Sequence, residues 1–394
     1  MSWLMPKDPE VLATAVADSL VIAADPYAQQ ASITFWHRAS SWHDAVVAAV
    51  DRFPDDVVRQ TGTALSVNPT DPARYRTLRS ALLAADRGAT AHVFSLGWRA
   101  ECHSRLGFRL GSRYLPDTEQ VTVADARSWG PASLSPDPAT ADVLIVVPFR
   151  DRGPGGMRLR NLMACLQALS DQSVSRHRYQ VTVVESDDRP RWRQVIEPLV
   201  DSYLFAEKPG QFNKSWAVNA GVVHSPGQSD VICILDADAL VDRDFVARNV
   251  ARLRRPGTGG HLPYRDMQCL DPAATSAAIR QRVVRGVADV DAEVLRAFSV
   301  RRPVGCCLWV RASAFHAVGG MDERFEGWGG EDNDFAYRFD IFNALDSYHD
   351  PLLHMYHPAS SRIEGELVNA GVPALSWEPE QPIGRLNRFV AGAI

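Results

Sequence analysis

The sequence predicts an α/β protein, with an open, mostly parallel sheet flanked by helices and a mainly helical N-terminal extension. Two apolar runs, Leu144 to Pro148 and Val231 to Leu235, are strand-sized and apolar throughout, as strands covered on both faces are. From about residue 141 such runs alternate with helical stripes, the order of a parallel sheet with crossover helices. Before residue 140 the apolar spacing is helical, and Ser128 to Pro138 (SWGPASLSPDP) is rich in Pro and Ser and reads as a linker.

In chain order, residues 1–30 carry a helical pattern around Val11, Ala15, Leu20 and Val21. Ala45 to Val50 and Arg74 to Ala85 follow as amphipathic helices, the second with Tyr75, Leu78, Leu82 and Leu83 on its apolar face. Phe35, Trp36, Trp42 and Trp98 lie among them and read as core packing rather than an acceptor surface. After the linker, Val143 to Pro148 is a strand, and Leu159, Leu162, Met163, Leu166 and Leu169 trace a helix. Val181 to Val184, Tyr203 to Phe205 and Val231 to Leu235 are further strands; Lys214 to Val223 and Phe245 to Leu253 are helices. The expected division is an extension at 1–140, a catalytic domain at 141–364 and a tail at 365–394 packed on it. In open α/β sheets ligands bind beyond the carboxyl ends of the strands.

Composition narrows the function. The chain is 46% hydrophobic and 23% charged, with a net charge of -5 and no basic stretch, so nucleic-acid binding is not expected. Its longest apolar runs fall far short of a membrane span, and residues 1–30 do not read as a signal peptide; a cytoplasmic protein is expected. Six cysteines (102, 165, 233, 269, 306 and 307) form no Cys-x-x-Cys pair, which argues against a zinc or disulfide framework. Cys306 and Cys307 read as buried filler.

Four segments carry chemistry. Pro148-Phe149-Arg150-Asp151-Arg152 puts two arginines at a strand's carboxyl end, where they reach phosphate or stay in a solvated loop. Asp236-Ala237-Asp238 follows a buried strand; extended geometry turns both carboxylates to one side, where a hard divalent cation would relieve their repulsion. A bland strand-end turn is the alternative. His354 and His357 share a face only if the segment turns, and then both imidazoles suit one metal. In Gly327-Trp328-Gly329-Gly330-Glu331-Asp332-Asn333-Asp334-Phe335, glycines permit close approach to a ligand, and Asp332 sits where the N-cap of a helix bearing Phe335, Phe339 and Phe342 would be. Alone, this is a capped turn.

Taken in order, these segments resemble the nucleotide-sugar-dependent glycosyltransferases of the GT-A fold, a Rossmann-like α/β architecture. The likeness is greatest to the beta-1,4-galactosyltransferase family and to bacterial chondroitin-type polymerases. Pro148 to Arg152 is similar to that family's Pro-Phe-Arg-Asn-Arg. Phe212-Asn213-Lys214 with Asn219 and Gly221 is similar to Phe-Asn-Arg…Asn-x-Gly, Asp236 to Asp238 to Asp-x-Asp, and His354-x-x-His357 to Met-x-x-His. The likeness covers about residues 141–360. It implies that Phe149, Arg150, Arg152 and Lys214 hold a nucleotide diphosphate, most simply UDP, with Pro148, Phe212, Asp236, Ala237 and Gly305 in the nucleotide-sugar site. It also implies Mn²⁺ (or Mg²⁺) on Asp238 and His357, with His354 standing where the family often has methionine and Asp236 near ribose, sugar or metal. Trp328, Gly329 and Gly330 would face the acceptor or the sugar, Asp332 would be the general base, and Glu331 would orient the acceptor hydroxyl or the donor sugar. An aspartate at 332, where retaining relatives carry asparagine, implies inversion at the anomeric carbon. The partners implied are a nucleotide-sugar donor and a hydroxyl acceptor: a natural product, peptide or saccharide. The extension is left as part of the acceptor site or a homo-oligomer contact. Two other readings stand beside this one: a nucleotidyltransferase, faintly echoed by Arg152 to Arg158, and a sugar-nucleotide-binding module without catalysis.

Overall fold

Every residue of Val143–Phe149 (β1), Tyr179–Asp187 (β2) and, further on, Val231–Leu235 is buried. Strands of that kind need cover on both faces. With Ser202–Glu207 (β3), Val231–Leu235 (β4), Gly260–Leu262 (β5), Cys307–Arg311 (β6) and Leu345–Ser347 (β7) they form a seven-stranded sheet of order β7-β5-β6-β4-β1-β2-β3. β1, β2, β3 and β4 run parallel, while β6 is antiparallel to both β4 and β5. The expected mostly parallel α/β sheet is present in this computed structural model, which describes residues 4–327, 329–358, 369 and 371–390.

Three helices place the chemistry: Met157–Ser170 (α1), Lys214–His224 (α2) and Glu331–Phe342 (α3). On α2, Trp216 and Ala217 pack with Leu144, Val146, Val184 and Ala206 of the sheet. α2 lies so close that a Cβ at Gly221 would meet Val146 Cγ1 at 2.5 Å. On α3, Phe335 and Phe339 pack with Ile232, Ile234, Leu308 and Val310. Two buried asparagines tie these layers together. Asn213 caps α2 by accepting from Trp216 N (2.8 Å) and donates to Glu323 O (2.8 Å). Asn219 accepts from Met321 N (2.9 Å) and donates to Met321 O (2.8 Å) and Glu323 Oε1 (3.0 Å).

The contacts divide the chain into two units. One comprises Met1–Gln120, Asp266–Ala278 and Asp291–Arg302; the other comprises Val121–Arg265, Ile279–Val290 and Pro303–Ile394. The division thus falls at residue 120 rather than the expected 140, and two later segments belong with the N-terminal one. The Pro/Ser-rich stretch is not a free linker but is bonded to the second unit. Gly130 O accepts from Gln167 Nε2 (2.7 Å), Ser133 O from Arg176 Nε (2.8 Å), and Ser135 N donates to Asp201. Residues of the C-terminal tail pack on this unit too: Trp377 donates to Gly319 O (2.7 Å), and Phe389 sits edge-on to Trp216.

The first unit is mainly helical, as expected, with helices at Pro9–Ala24, Ile33–Asp51, Asp56–Val67, Pro72–Ala84 and Arg87–His103. It also holds three antiparallel strands, Leu106–Leu110 against Arg296–Arg301 against Asp266–Leu270, which the helical periodicity did not predict. Trp36, Trp42 and Trp98 pack against its core, and Phe35 against a smaller cluster around Leu106 and Val300. Buried Arg296 pairs with Asp25 and with Asp271 (3.1 Å), and Asp271 also accepts from Tyr114 Oη (2.7 Å). Among the described residues no helix is long and apolar enough to cross a membrane.

Asp18 is buried in this unit and accepts from Tyr75 Oη at 2.6 Å. Burial pushes its carboxyl up from 3.8 to about 8, against the opposing pull of the Tyr75 hydrogen bond. A carboxyl whose folded value is raised stabilises the fold most below its unfolded value, and that contribution is lost as pH climbs from about 4 to about 8. Asp18→Asn, which still accepts from Tyr75, should therefore be more stable than the parent at pH 8.5, by about 1–3 kcal/mol. The advantage should shrink toward pH 5. Urea unfolding at the two pH values measures it, and a pH-independent difference would contradict the assignment.

Candidate functional site

β4 delivers Leu235 to a turn in which Asp236 N donates to Cys306 O (2.8 Å) and Asp238 O accepts from Met355 N (2.8 Å). A two-residue ladder follows, Ala239–Leu240 antiparallel to Leu352–His354, with His354 opposite Ala239. This short pairing sets His354 beside Asp238, and the chain then turns so that His357 arrives there as well. The imidazole centroids are 5.2 Å apart. The turn that shared use of the two histidines requires is present.

Asp238, His354 and His357 each offer a ligand atom within 4.8 Å of the others. His357 Nε2 lies 2.9 Å from Asp238 Oδ2 and His354 Nε2 lies 3.4 Å from Oδ1. His357 Nδ1 is 2.9 Å from Pro358 O, which fixes it as the N–H donor and leaves Nε2 a lone pair in the neutral ring. That lone pair faces a carboxylate oxygen, a juxtaposition of two acceptors that only a proton or a cation between them satisfies. Asp238 Oδ1 is itself buried without a hydrogen-bond donor among the described residues. Burial works against the Asp238 charge, but the His354 and His357 imidazoles, when protonated, hold its carboxyl well below the usual range. Burial also pushes the His354 imidazole below its ordinary value, toward the neutral, ligating form. One carboxylate and two imidazoles fit a divalent transition ion.

Asp236, Asp238 and Cys306 form a second such group. Cys306 has φ 78°, a left-handed conformation rare for a residue with a side chain, and it stands beside the acids rather than serving only as filler. Burial, and after it Asp236 and Asp238, push its thiol well up, so it stays protonated.

The other side of the site is the start of α3. Its cap is Gly330 (φ 98°), not Asp332, which is the second residue of the helix. A side chain at Gly330 would meet Phe325 Cε1 at 2.8 Å, so close packing as well as φ demands glycine there. Gly329 N donates to Glu331 Oε2 (3.0 Å), Gly327 N to Phe212 O (2.7 Å), and Asn369 Nδ2 to Gly329 O (3.0 Å). Trp328 lies outside the described residues. Glu331 is 8% exposed; burial, then the neighbouring Asp332 charge, raise its carboxyl to about 7. Asp332 pairs with Lys214 Nζ at 3.0 Å, and Lys214 reaches Asp236 Oδ1 at 2.7 Å. Burial, with Asp332 and Asp238 adding to it, raises Asp236 to about 6 despite Lys214. Gly305 backs this arrangement, since a Cβ there would lie 2.4 Å from Asp332 Oδ2.

The donor-side residues are distributed differently. Phe149 and Pro148 are strand residues of β1 paired with Glu185 and Val184 of β2, and Phe149 is buried. Arg150 donates to three carbonyls, Ser186 O, Gly210 O (2.7 Å) and Lys208 O (2.7 Å), and lies 5.3 Å from the Phe212 ring centroid. Arg152 pairs with Asp187. Ala237 lies in the turn between the two acids. The structure thus brings together Lys214, Asp236, Asp238, Gly305, Glu331, Asp332, His354 and His357, while both arginines are engaged by protein groups. Sequence spacing missed the Lys214 bridge and the place of Cys306. A lone lysine at the first position of a helix and a cysteine in an apolar run carry no periodic signal.

Residues 293–344 match a family model described as the N-terminal domain of galactosyltransferase. No curated protein sequence matches the chain. Among solved structures, the catalytic domain of Drosophila beta1,4-galactosyltransferase 7 in complex with xylobiose is 19% identical, at a TM-score of 0.33 over 55% of this chain and 71% of that one. S. aureus TarS 1–349 in complex with UDP-GlcNAc is 11% identical, at a TM-score of 0.39 over 56% of this chain and 60% of that one. Superpositions this loose carry no inference about the site. The family match takes in the strand β6 and the whole of α3.

Titrating the protein with Mn²⁺ in a calorimeter tests the Asp238 group directly. His357→Ala should weaken Mn²⁺ binding by at least about tenfold. Equal affinity in parent and variant would remove His357 from the ligand set.

Proposed function

We propose that the second unit transfers a sugar, with inversion, from a UDP-sugar to a hydroxyl acceptor, using a divalent ion held by Asp238, His354 and His357. The observation that carries this reading is a pairing of two kinds of group. A metal-type donor set stands at the carboxyl end of β4, and a carboxylate, Asp332, at the start of α3 is linked to it through Lys214 and Asp236. The galactosyltransferase match over residues 293–344 supports the same class. Two imidazoles in the set favour Mn²⁺ over Mg²⁺, which prefers oxygen throughout.

In this reading the bond between the anomeric carbon and the diphosphate oxygen breaks as the acceptor oxygen bonds to the opposite face. The ion, when bound, supplies Lewis-acid stabilisation of the leaving diphosphate. Asp332 takes the acceptor's proton. Glu331, whose carboxylate accepts from Gly329 N beside Asp332, holds the acceptor hydroxyl. A base on the face opposite the leaving group gives a single displacement and therefore inversion.

A panel of UDP- and dTDP-sugars with Mn²⁺, followed by release of the nucleoside diphosphate, tests the class. Pyrophosphate release from a nucleoside triphosphate and a sugar phosphate would instead favour nucleotidyl transfer. Asp332→Asn should lower the rate by about 100-fold or more while Mn²⁺–UDP binding stays near the parent's. Joint loss of binding and rate would make Asp332 a ligand or a structural residue.

A further inference from the structure

Lys214 is the first residue of α2 and only 8% exposed. Its ammonium lies 2.7 Å from Asp236 Oδ1 and 3.0 Å from each carboxylate oxygen of Asp332. An ammonium carries three N–H groups and no acceptor, so three oxygens at these distances take up its donor capacity. The backbone on which it stands is fixed: Asn213 caps α2 while donating to Glu323 O, and Asn219 grips Met321 and Glu323. Gly305 also abuts this carboxylate: a Cβ there would lie 2.4 Å from Asp332 Oδ2. Asp332 is thus flanked by an ammonium and a residue that must lack a side chain. Without the ammonium, Asp236, Glu331 and Asp332 would be like charges crowded together, and Asp332, a quarter exposed at its side chain, would have room to swing away.

We propose that Lys214 is a positioning residue for Asp332, bridging it to Asp236, rather than a ligand of the donor diphosphate. The proposal rests on the transferase reading above for its catalytic consequence, but its structural content is independent of it. Lys214 acts through the carboxylate it holds: it takes no proton, forms no bond to the sugar, and sets where the acceptor's proton goes.

The test uses the full chain with Lys214→Met, Lys214→Arg and Lys214→Ala, and three readouts. Lys214→Met should bind Mn²⁺–UDP within about threefold of the parent, since a lost diphosphate contact would give tenfold or more. Release of UDP from the preferred UDP-sugar should fall by about 100-fold, the usual worth of a placed base. Lys214→Arg should recover part of the rate, and n-propylammonium should restore Lys214→Ala saturably, which a purely structural lesion would not allow. In urea unfolding, Lys214→Met and Asp332→Asn should be non-additive by about fivefold or more in the unfolding constant, as groups in contact are. A tenfold or greater loss of Mn²⁺–UDP affinity in Lys214→Met, failure of both arginine and amine to restore any rate, or strict additivity in the unfolding cycle would each overturn the proposal. A parent protein that releases nucleoside diphosphate from no donor would sink the transferase reading instead, and the unfolding cycle would still decide whether Lys214 holds Asp332.

Discussion

The site depends on one buried contact more than on any other: the amide of Asn219 against the backbone of Met321 and the carboxylate of Glu323. α2 is packed into the parallel strands through Trp216, Ala217 and Gly221, while the chain from Met321 leads to the glycine loop and α3. A side-chain amide that both donates to and accepts from one residue copies a backbone pairing, and in a buried setting it leaves no room for slippage. Glu323 completes the joint by accepting from Gly384 N and pairing with Arg388, so the tail is fastened by the same carboxylate. Removing the Asn219 amide would strand several buried polar groups at once.

With that joint fixed, the electrostatics of the site follow. Asp236, Asp238, Glu331 and Asp332 converge on one buried ammonium and two imidazoles. The excess of negative charge is eased in different ways at different acids. Asp236 and Glu331 are raised in pKa, whereas Asp238 is kept ionised beside its histidines. The separation of acids that hold a proton from acids that shed one is what a site needs if one carboxylate is to bind a cation while another meets a hydroxyl. The arginines after β1 stand outside this balance. Arg150 closes a loop by binding three carbonyls, and Arg152 neutralises Asp187.

How much of this was legible in the sequence depended on whether the signal was periodic. Val143–Phe149 and Val231–Leu235 announced themselves because a strand covered on both faces must be apolar throughout, and α1 showed its Leu and Met stripe. The acids and histidines were legible as residue types at suggestive spacings. The pairing that sets His354 beside Asp238 was not, because a two-residue ladder has no pattern to read. The aspartate expected to cap α3 gave way to Gly330, since close packing against Phe325 and a left-handed φ outweigh side-chain capping there. The strands Leu106–Leu110, Asp266–Leu270 and Arg296–Arg301 were hidden because each carries polar residues among its apolar ones and finds its partners far away in sequence.

That last feature shapes how the chain matures. The helices of the first unit leave the ribosome early, but Phe298, against which Phe108 packs, and Arg296, which answers Asp25, are made only after most of the parallel sheet. Until they arrive, Asp25 lacks its Arg296 partner and Phe108 lacks the Phe298 ring. The N-terminal helices are therefore not a separable module: in the order of synthesis they form an open shell that the later strands complete, and a truncation at residue 120 would keep that shell permanently unfinished.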